Sequence, residues 1–99
     1  MATLVPPDAV VAAATDQVSC DLAGDAAILH LGTGTYYTLD GVGARIWTLL
    51  QRPVTLATLH QTLLAEYDVT PERLDADLQT LLQALRAAGL IEIQRADAG

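Results

Sequence analysis

The chain has 99 residues, of which 52% are hydrophobic and only 4% aromatic, and its formal charge is −7. A single domain of this length can bury an aliphatic core without disulfide bonds or metal ions. The acidic balance disfavours nucleic acid and anionic membranes as partners. No apolar run approaches the roughly 20 residues that span a bilayer. No signal-peptide pattern is found, so a cytoplasmic location is expected.

The first 15 residues are interpreted as an N-terminal arm or as a short extra edge strand that begins near Val10. Pro6 and Pro7 exclude a helix in this segment. The domain proper is predicted to span residues 16–94. Residues 95–99 are expected to form a frayed tail.

Three short strands are predicted next, joined by tight turns into an antiparallel meander. In the first strand, apolar Val18, Cys20 and Leu22 alternate with polar residues, which is the period of a strand with one buried face. Cys20 is therefore expected to be a small core residue. Turn residues precede the second and third strands, which are predicted over residues 26–31 and 35–39.

The C-terminal half is predicted to be helical. The apolar spacing becomes helical after Asp40, whose carboxylate is expected to cap the first helix. Thr55 and Thr70 are expected to cap the second and third helices, and Gly89 to end the third in a left-handed conformation. Residues 90–93 can add a short strand. The fold class is therefore α+β: a three-stranded antiparallel sheet followed by three helices, like a winged helix-turn-helix.

Two functions of other classes are considered for this fold. A winged-helix DNA-binding regulator would need a basic third helix. This helix carries Asp75 and Asp77 and only two arginines, which argues against DNA binding. An enzyme would need Cys20 beside His30 or His60, and the sequence does not bring them together. No metal-ligand spacing is present. Neither catalytic residues nor a metal or other cofactor are predicted.

The third strand carries two adjacent tyrosines that point to opposite faces. Alternation places Tyr37 with Leu39 on the core side and Tyr36 with Thr38 on the other side. Tyr36 is then either an ordinary exposed strand residue or a wall for a bound peptide.

Three separated motifs carry a resemblance to a known family. They are Tyr36-Tyr37-x-Leu39-Asp40-x-Val42-Gly43-Ala44-Arg45-Ile46-Trp47, then Glu66-Tyr67-Asp68-Val69, and then Asp77-Leu78-x-x-Leu81-Leu82-x-x-Leu85 with Gly89-Leu90-Ile91. In this order they resemble the PqqD-like family, whose members are also called RiPP recognition elements. The resemblance covers about residues 16–93, nearly the whole domain.

The resemblance implies a small non-enzymatic domain that binds the leader segment of a ribosomally made precursor peptide. In that family the leader adds as a strand beside the third strand, over a groove walled by the third helix. Carried onto this chain, the implied peptide-binding residues are Gly34, Thr35, Tyr36, Tyr37, Thr38, Leu39, Arg73, Leu74, Asp77, Leu78, Leu81, Leu82 and Leu85.

Within the family, residues 36–40 and 43–47 most resemble the recognition proteins of lasso-peptide pathways. The implied partners there are the precursor peptide, a leader peptidase and a cyclase. The alternative is the member that acts as a peptide chaperone for a radical enzyme in pyrroloquinoline quinone biosynthesis. A monomer or a weak homodimer is expected, because the edge of the third strand can pair with itself when no leader is bound.

Overall fold

A computed structural model describes residues 5–94, which form two small antiparallel sheets and three helices. Residues 1–4 of the predicted arm and the predicted tail, residues 95–99, lie outside the described residues. In chain order the elements are β1 (Val10–Ala13), β2 (Gln17–Leu22), β3 (Asp25–His30), β4 (Tyr36–Leu39), α1 (Gly41–Leu49), β5 (Val54–Thr55), α2 (Leu56–Glu66), α3 (Pro71–Ala87) and β6 (Ile91–Gln94). The predicted α+β class is confirmed.

The predicted meander is the sheet β2-β3-β4, in which each strand is antiparallel to the next. Ala23 and Gly24 connect β2 to β3 with positive φ angles of 55° and 92°. Two such residues in succession make the hairpin turn that matches the twist of paired strands. Ile28, at the centre of β3, is fully buried against the helices. This sheet therefore has one inner face, on the core, and one outer face.

The second sheet, in the order β5-β1-β6, is not anticipated by the sequence patterns. Here β1 is the central strand and not an edge strand. Val11 pairs with Val54 on one side and with Ile93 on the other, and its side chain is fully buried. Both partner strands are short and distant in the chain, so no local periodicity could reveal the pairing.

The predicted caps of α2 and α3 are confirmed. The hydroxyls of Thr55 and Thr70 each accept a hydrogen bond at 3.2 Å from the backbone N–H three residues on. Gly89 follows α3 with φ +76°, and the next amide, of Leu90, donates to the carbonyl of Leu85 at 3.0 Å. This is the arrangement that satisfies the last helical carbonyls.

The predicted side-chain cap of α1 is wrong. Asp40 occupies the N-cap position, but its carboxylate accepts no cap hydrogen bond. The helix begins at Gly41 with φ +54°, a left-handed conformation that glycine adopts without steric cost. Asp40 lines a groove described below.

The predicted buried face of β2 is also wrong. Val18 and Leu22 are 58% and 54% exposed, and Cys20 is exposed too. The register pairs Ser19 with the buried Ile28, so the polar face of β2 is the one turned toward the helices. The alternation has the correct period, but periodicity alone does not say which face of an edge strand is covered.

The helices supply most of the core through leucine stripes. Leu59 and Leu63 of α2 are fully buried, as are Leu78 and Leu82 of α3. Within residues 5–94, no helix combines the length and the apolar character needed to cross a membrane. The buried stripe of α3 fixes that helix in rotation, which decides which of its residues remain available at the surface.

Candidate functional site

A groove of about 550 Å³ lies between the corner that joins β4 to α1, the loop between α2 and α3, and one side of α3. We call it the β4 groove. Most of its lining side chains are apolar, and the polar ones are chiefly carboxylates. The full lining consists of Thr38, Leu39, Asp40, Val42, Gly43, Ile46, Tyr67, Asp68, Val69, Leu74, Asp77, Leu78 and Leu81.

The strand β4 borders this groove and is an edge strand of its sheet. Among residues 5–94 it pairs only with β3. The N–H of His30 donates to the carbonyl of Thr35 at 2.9 Å, and the register continues from that pair through Tyr37. Backbone groups alternate in direction along an antiparallel strand. The N–H and C=O groups of Tyr36 and Thr38 therefore point away from β3.

One wall of the groove comes from α3. Its buried stripe anchors the helix in the core, and Leu74 and Leu78 of that stripe also reach the groove. Leu81 lies beside the stripe and is half-buried. An apolar surface therefore runs along α3 beside the free edge of β4. An extended peptide on that edge would meet it with alternate side chains.

Six of the thirteen residues implied by the resemblance line the β4 groove: Thr38, Leu39, Leu74, Asp77, Leu78 and Leu81. Two others, Leu82 and Leu85, do not line it. They are 0% and 4% exposed, because they continue the core-facing stripe one and two turns after Leu78. Their contribution is to hold α3 in place.

The remaining five predicted residues do not line the groove. Gly34 and Thr35 belong to the hairpin loop that leads into β4. Tyr36 is 61% exposed on the outer face of the sheet, whereas Tyr37 packs against the core. Arg73 is exposed at the surface of α3.

The sequence patterns did not assign to the site the residues that α1 and the α2–α3 loop contribute. Val42 and Ile46 form one side of the first turns of α1, and Tyr67 and Val69 come from the loop. The helical spacing of Val42 and Ile46 showed that this side is apolar. Only the folded chain shows that it faces α3.

The rim of the groove is acidic. Asp40, Asp68 and Asp77 are all exposed there. The guanidinium of Arg73 lies 3.5 Å from the carboxylate of Asp77, and both side chains are so exposed that this pair is weak. The potential at the rim therefore favours neutral or cationic groups over anionic ones.

A two-pronged ion pair fixes α1 to the end of α2 next to the groove. Nε and Nη2 of Arg45 donate to the two carboxylate oxygens of Glu66 at 2.8 and 2.7 Å. The hydrogen bond from Arg45 lowers the pKa of Glu66, and the same bond raises the pKa of Arg45. The neighbouring Tyr67 lines the groove, so this pair supports one end of it.

The candidate catalytic groups are separate. Among residues 5–94, no hydrogen bond joins Cys20 to either histidine, and no group of three or more metal-ligating side chains could hold a metal ion. Nε2 of His60 lies 3.1 Å from the carbonyl of Pro71. The geometry supports binding of an extended ligand better than it supports a reaction.

Two solved structures share this fold. One is TbiB1 in complex with the TbiA(beta) leader peptide, 36% identical with a TM-score of 0.78; the match covers 82% of this chain and 94% of that one. The other is a lasso peptide synthetase B1 complexed with the leader peptide, 21% identical with a TM-score of 0.73, covering 83% and 96%. The second likeness shows the fold alone.

Comparison with curated proteins finds no match. The family profile described as coenzyme PQQ synthesis protein D (PqqD) matches residues 25–91, which is more than half of the chain. The matched segment runs from the start of β3 to the start of β6 and contains both walls of the β4 groove. The chain belongs to the PqqD family.

Proposed function

We propose that this protein is a non-catalytic recognition element that binds the leader segment of a ribosomally synthesised precursor in lasso-peptide biosynthesis. The observation that carries the proposal is the free edge of β4 beside an apolar groove. TbiB1, 36% identical, is solved with a leader peptide, which supports leader binding. The lasso-peptide pathway is preferred to pyrroloquinoline quinone biosynthesis because of the resemblance carried by residues 36–40 and 43–47.

The leader binds by adding a strand to β4. Its backbone pairs with the outward N–H and C=O groups of Tyr36 and Thr38, and alternate side chains enter the β4 groove between α1 and α3. Leu81 and Val42 contact those side chains from opposite walls. The acidic rim favours a cationic leader residue next to the buried ones.

Backbone pairing aligns the leader on β4 with little demand on its sequence and adds only a modest net affinity. Most of the affinity and the specificity therefore come from the groove. Two or three buried leader side chains contribute about 1.5 to 3 kcal/mol each before ordering costs. We expect a net dissociation constant of about 1 μM, which corresponds to about −8 kcal/mol and therefore needs the backbone pairing in addition to these contacts. Such an affinity permits release after the leader has been delivered to a leader peptidase and a cyclase, the partners that we propose.

A fluorescence-anisotropy titration tests the proposal. The probe is a labelled peptide with the leader sequence of the precursor encoded beside this protein. Saturable binding at about 1 μM or below is expected, with no binding of a scrambled peptide of equal composition and charge. A proline within the paired segment of the leader should weaken binding about tenfold or more, because it removes a backbone donor from the pairing.

No saturation at tens of micromolar, or equal binding of the scrambled peptide, would count against leader recognition. Delivery is tested separately, by adding the purified leader peptidase of the same pathway. Cleavage of the precursor should then depend on this protein. A cleavage rate that is unchanged when the protein is left out would argue against delivery.

A further inference from the structure

The side chain of His30, at the end of β3, holds the loop that leads into β4. Its Nδ1 accepts hydrogen bonds from the backbone N–H groups of Gly32 at 3.1 Å and Thr33 at 3.2 Å. Its own carbonyl accepts from Gly34 at 2.8 Å, and its N–H donates to Thr35. His30 thus makes four hydrogen bonds to the loop between β3 and β4. An Nδ1 that accepts two N–H bonds carries no proton.

The other side of the same ring contacts the end of α3. A methyl carbon placed on Gly89 would lie 2.8 Å from Nε2 of His30. The ring is therefore packed between the β3–β4 loop and the C-terminal cap of α3. The ring thus contacts both the loop that leads into β4 and the C-terminal end of α3, the two elements that border the proposed peptide site.

A methyl carbon placed on Gly32 would lie 2.8 Å from Oδ2 of Asp16 and 3.0 Å from Cε1 of His30, so a carboxylate lies close to the ring. The carboxylate of Asp16, just before β2, approaches the loop at Gly32, and β2 itself presents the uncharged Gln17 opposite His30. Arg86 belongs to the last turn of α3. No ion pair joins His30 to any of the residues 5–94. Protonation of Nδ1 would remove both accepted bonds, and the nearby carboxylate of Asp16 would attract the charged ring.

We propose that His30 is a positioning residue for the leader. The neutral imidazole holds residues 31–35 in the conformation that orients β4. A proton on Nδ1 turns this acceptor into a donor, which can no longer bond to the N–H groups of Gly32 and Thr33. Leader binding is then strong with neutral His30 and weak with charged His30. This inference rests on the proposed function and adds pH control to it.

The test compares leader affinity across pH for the wild type and three variants. In the wild type, affinity should fall about tenfold on acidification from about pH 8 to about pH 5, because the loop loses two hydrogen bonds when Nδ1 carries a proton. His30→Asn keeps an acceptor oxygen near the position of Nδ1 and cannot be protonated. The leader affinity of His30→Asn should be the same at all these pH values and equal to that of the wild type at about pH 8.

Two further variants complete the comparison. His30→Ala should bind weakly at every pH, because no acceptor is left for the loop. His60→Gln, in the other histidine, should keep the pH profile of the wild type. The inference is overturned if His30→Asn retains the wild-type profile or if His30→Ala binds as well as the wild type.

Amide hydrogen exchange in the unliganded protein separates this inference from the proposed function. The amides of Gly32 and Thr33 should lose protection on acidification in the wild type and keep it in His30→Asn. Unchanged protection in the wild type would overturn the inference even if the leader binds. Absence of leader binding by the wild type at about pH 8 would overturn the proposed function instead, and with it the role of His30 in binding.

Discussion

Within residues 5–94, the sheet β2-β3-β4 has two free edges, and the grooves beside them differ more in polarity than in volume. The edge of β4 borders a groove of about 550 Å³ lined mainly by leucine, valine and isoleucine side chains. Beside β2, a groove of about 620 Å³ is lined by Ser19, Asp21, Asp25, Arg45 and Gln51, together with Cys20, Gly24, Ala26, Gly41, Ala44, Trp47, Thr48 and Tyr67. The larger groove is thus the more polar one.

The polarity of the neighbouring groove distinguishes the strand edge that we expect to bind a peptide from the one that we do not. Either edge offers backbone donors and acceptors to an extended peptide. Those groups are bonded to water in the free protein, so pairing alone yields little net affinity. Burial of apolar side chains supplies the surplus, and only β4 has an apolar groove beside it. We therefore expect changes at β4 to affect leader binding and matched changes at β2 to leave it intact.

The largest effect is expected from a charge placed in the β4 groove. Val42, 40% exposed, lines that groove, and Val18, 58% exposed, lies on the outer face of β2. Val42→Asp should weaken leader binding about 100-fold, because it removes an apolar contact and adds a fourth carboxylate near an acidic rim.

Val18→Asp is the matched control and should bind the leader like the wild type. Anisotropy titrations measure both variants, and circular dichroism verifies that both are folded. Equal losses in the two variants would show that the effect comes from charge in general, and the preference for β4 would then be wrong.

A smaller effect is expected from removing one backbone donor of each edge. The N–H of Thr38 points outward from β4. In the β2–β3 register, the N–H of Ser19 likewise points outward from β2. Thr38→Pro should weaken leader binding about tenfold, since proline lacks the N–H that pairs with the leader and is tolerated on edge strands.

Ser19→Pro should leave leader affinity unchanged. Thermal unfolding of both variants checks that each proline is tolerated. If Ser19→Pro weakens binding as much as Thr38→Pro, or if the leader binds Thr38→Pro like the wild type, then the leader does not pair with β4 as proposed.

The smallest effect concerns the ion pair between the two grooves. Arg45 lowers the pKa of Glu66 in the folded protein. The pair therefore stabilises the fold at pH values above the pKa of Glu66 in the unfolded chain. This contribution is lost as the pH falls through the pKa of Glu66 in the folded protein. Glu66→Gln should lower the melting temperature slightly near pH 7 and by less near pH 3. Glu92→Gln, on β6, is the control.

Differential scanning calorimetry at the two pH values measures this difference. An equal decrease in melting temperature at both would show that Glu66 acts through packing and not through its charge. Leader affinity of Glu66→Gln should stay close to that of the wild type, because the carboxylate lies outside the β4 groove.

Local patterns were sufficient for much of the fold. Thr55 and Thr70 cap their helices as predicted, and Gly89 ends α3 with a positive φ. Each of these features depends on residues within one turn of the chain, where backbone geometry and a single side chain decide the outcome. The leucine stripe of α3 is local in the same sense, since its spacing alone identifies the buried side.

Other features of the fold depend on contacts between segments that are distant in the chain, and only the tertiary structure shows them. The sequence shows that β2 has an apolar face, but the helices cover the other one, where Ser19 faces the core beside Ile28. The central place of β1 depends on β5 and β6, far along the chain. The β4 groove needs Val42 of α1 opposite Leu81 of α3. Each element's amphipathic pattern determines that it has a face to bury, whereas packing between elements determines which surface covers it and which remains open for a ligand.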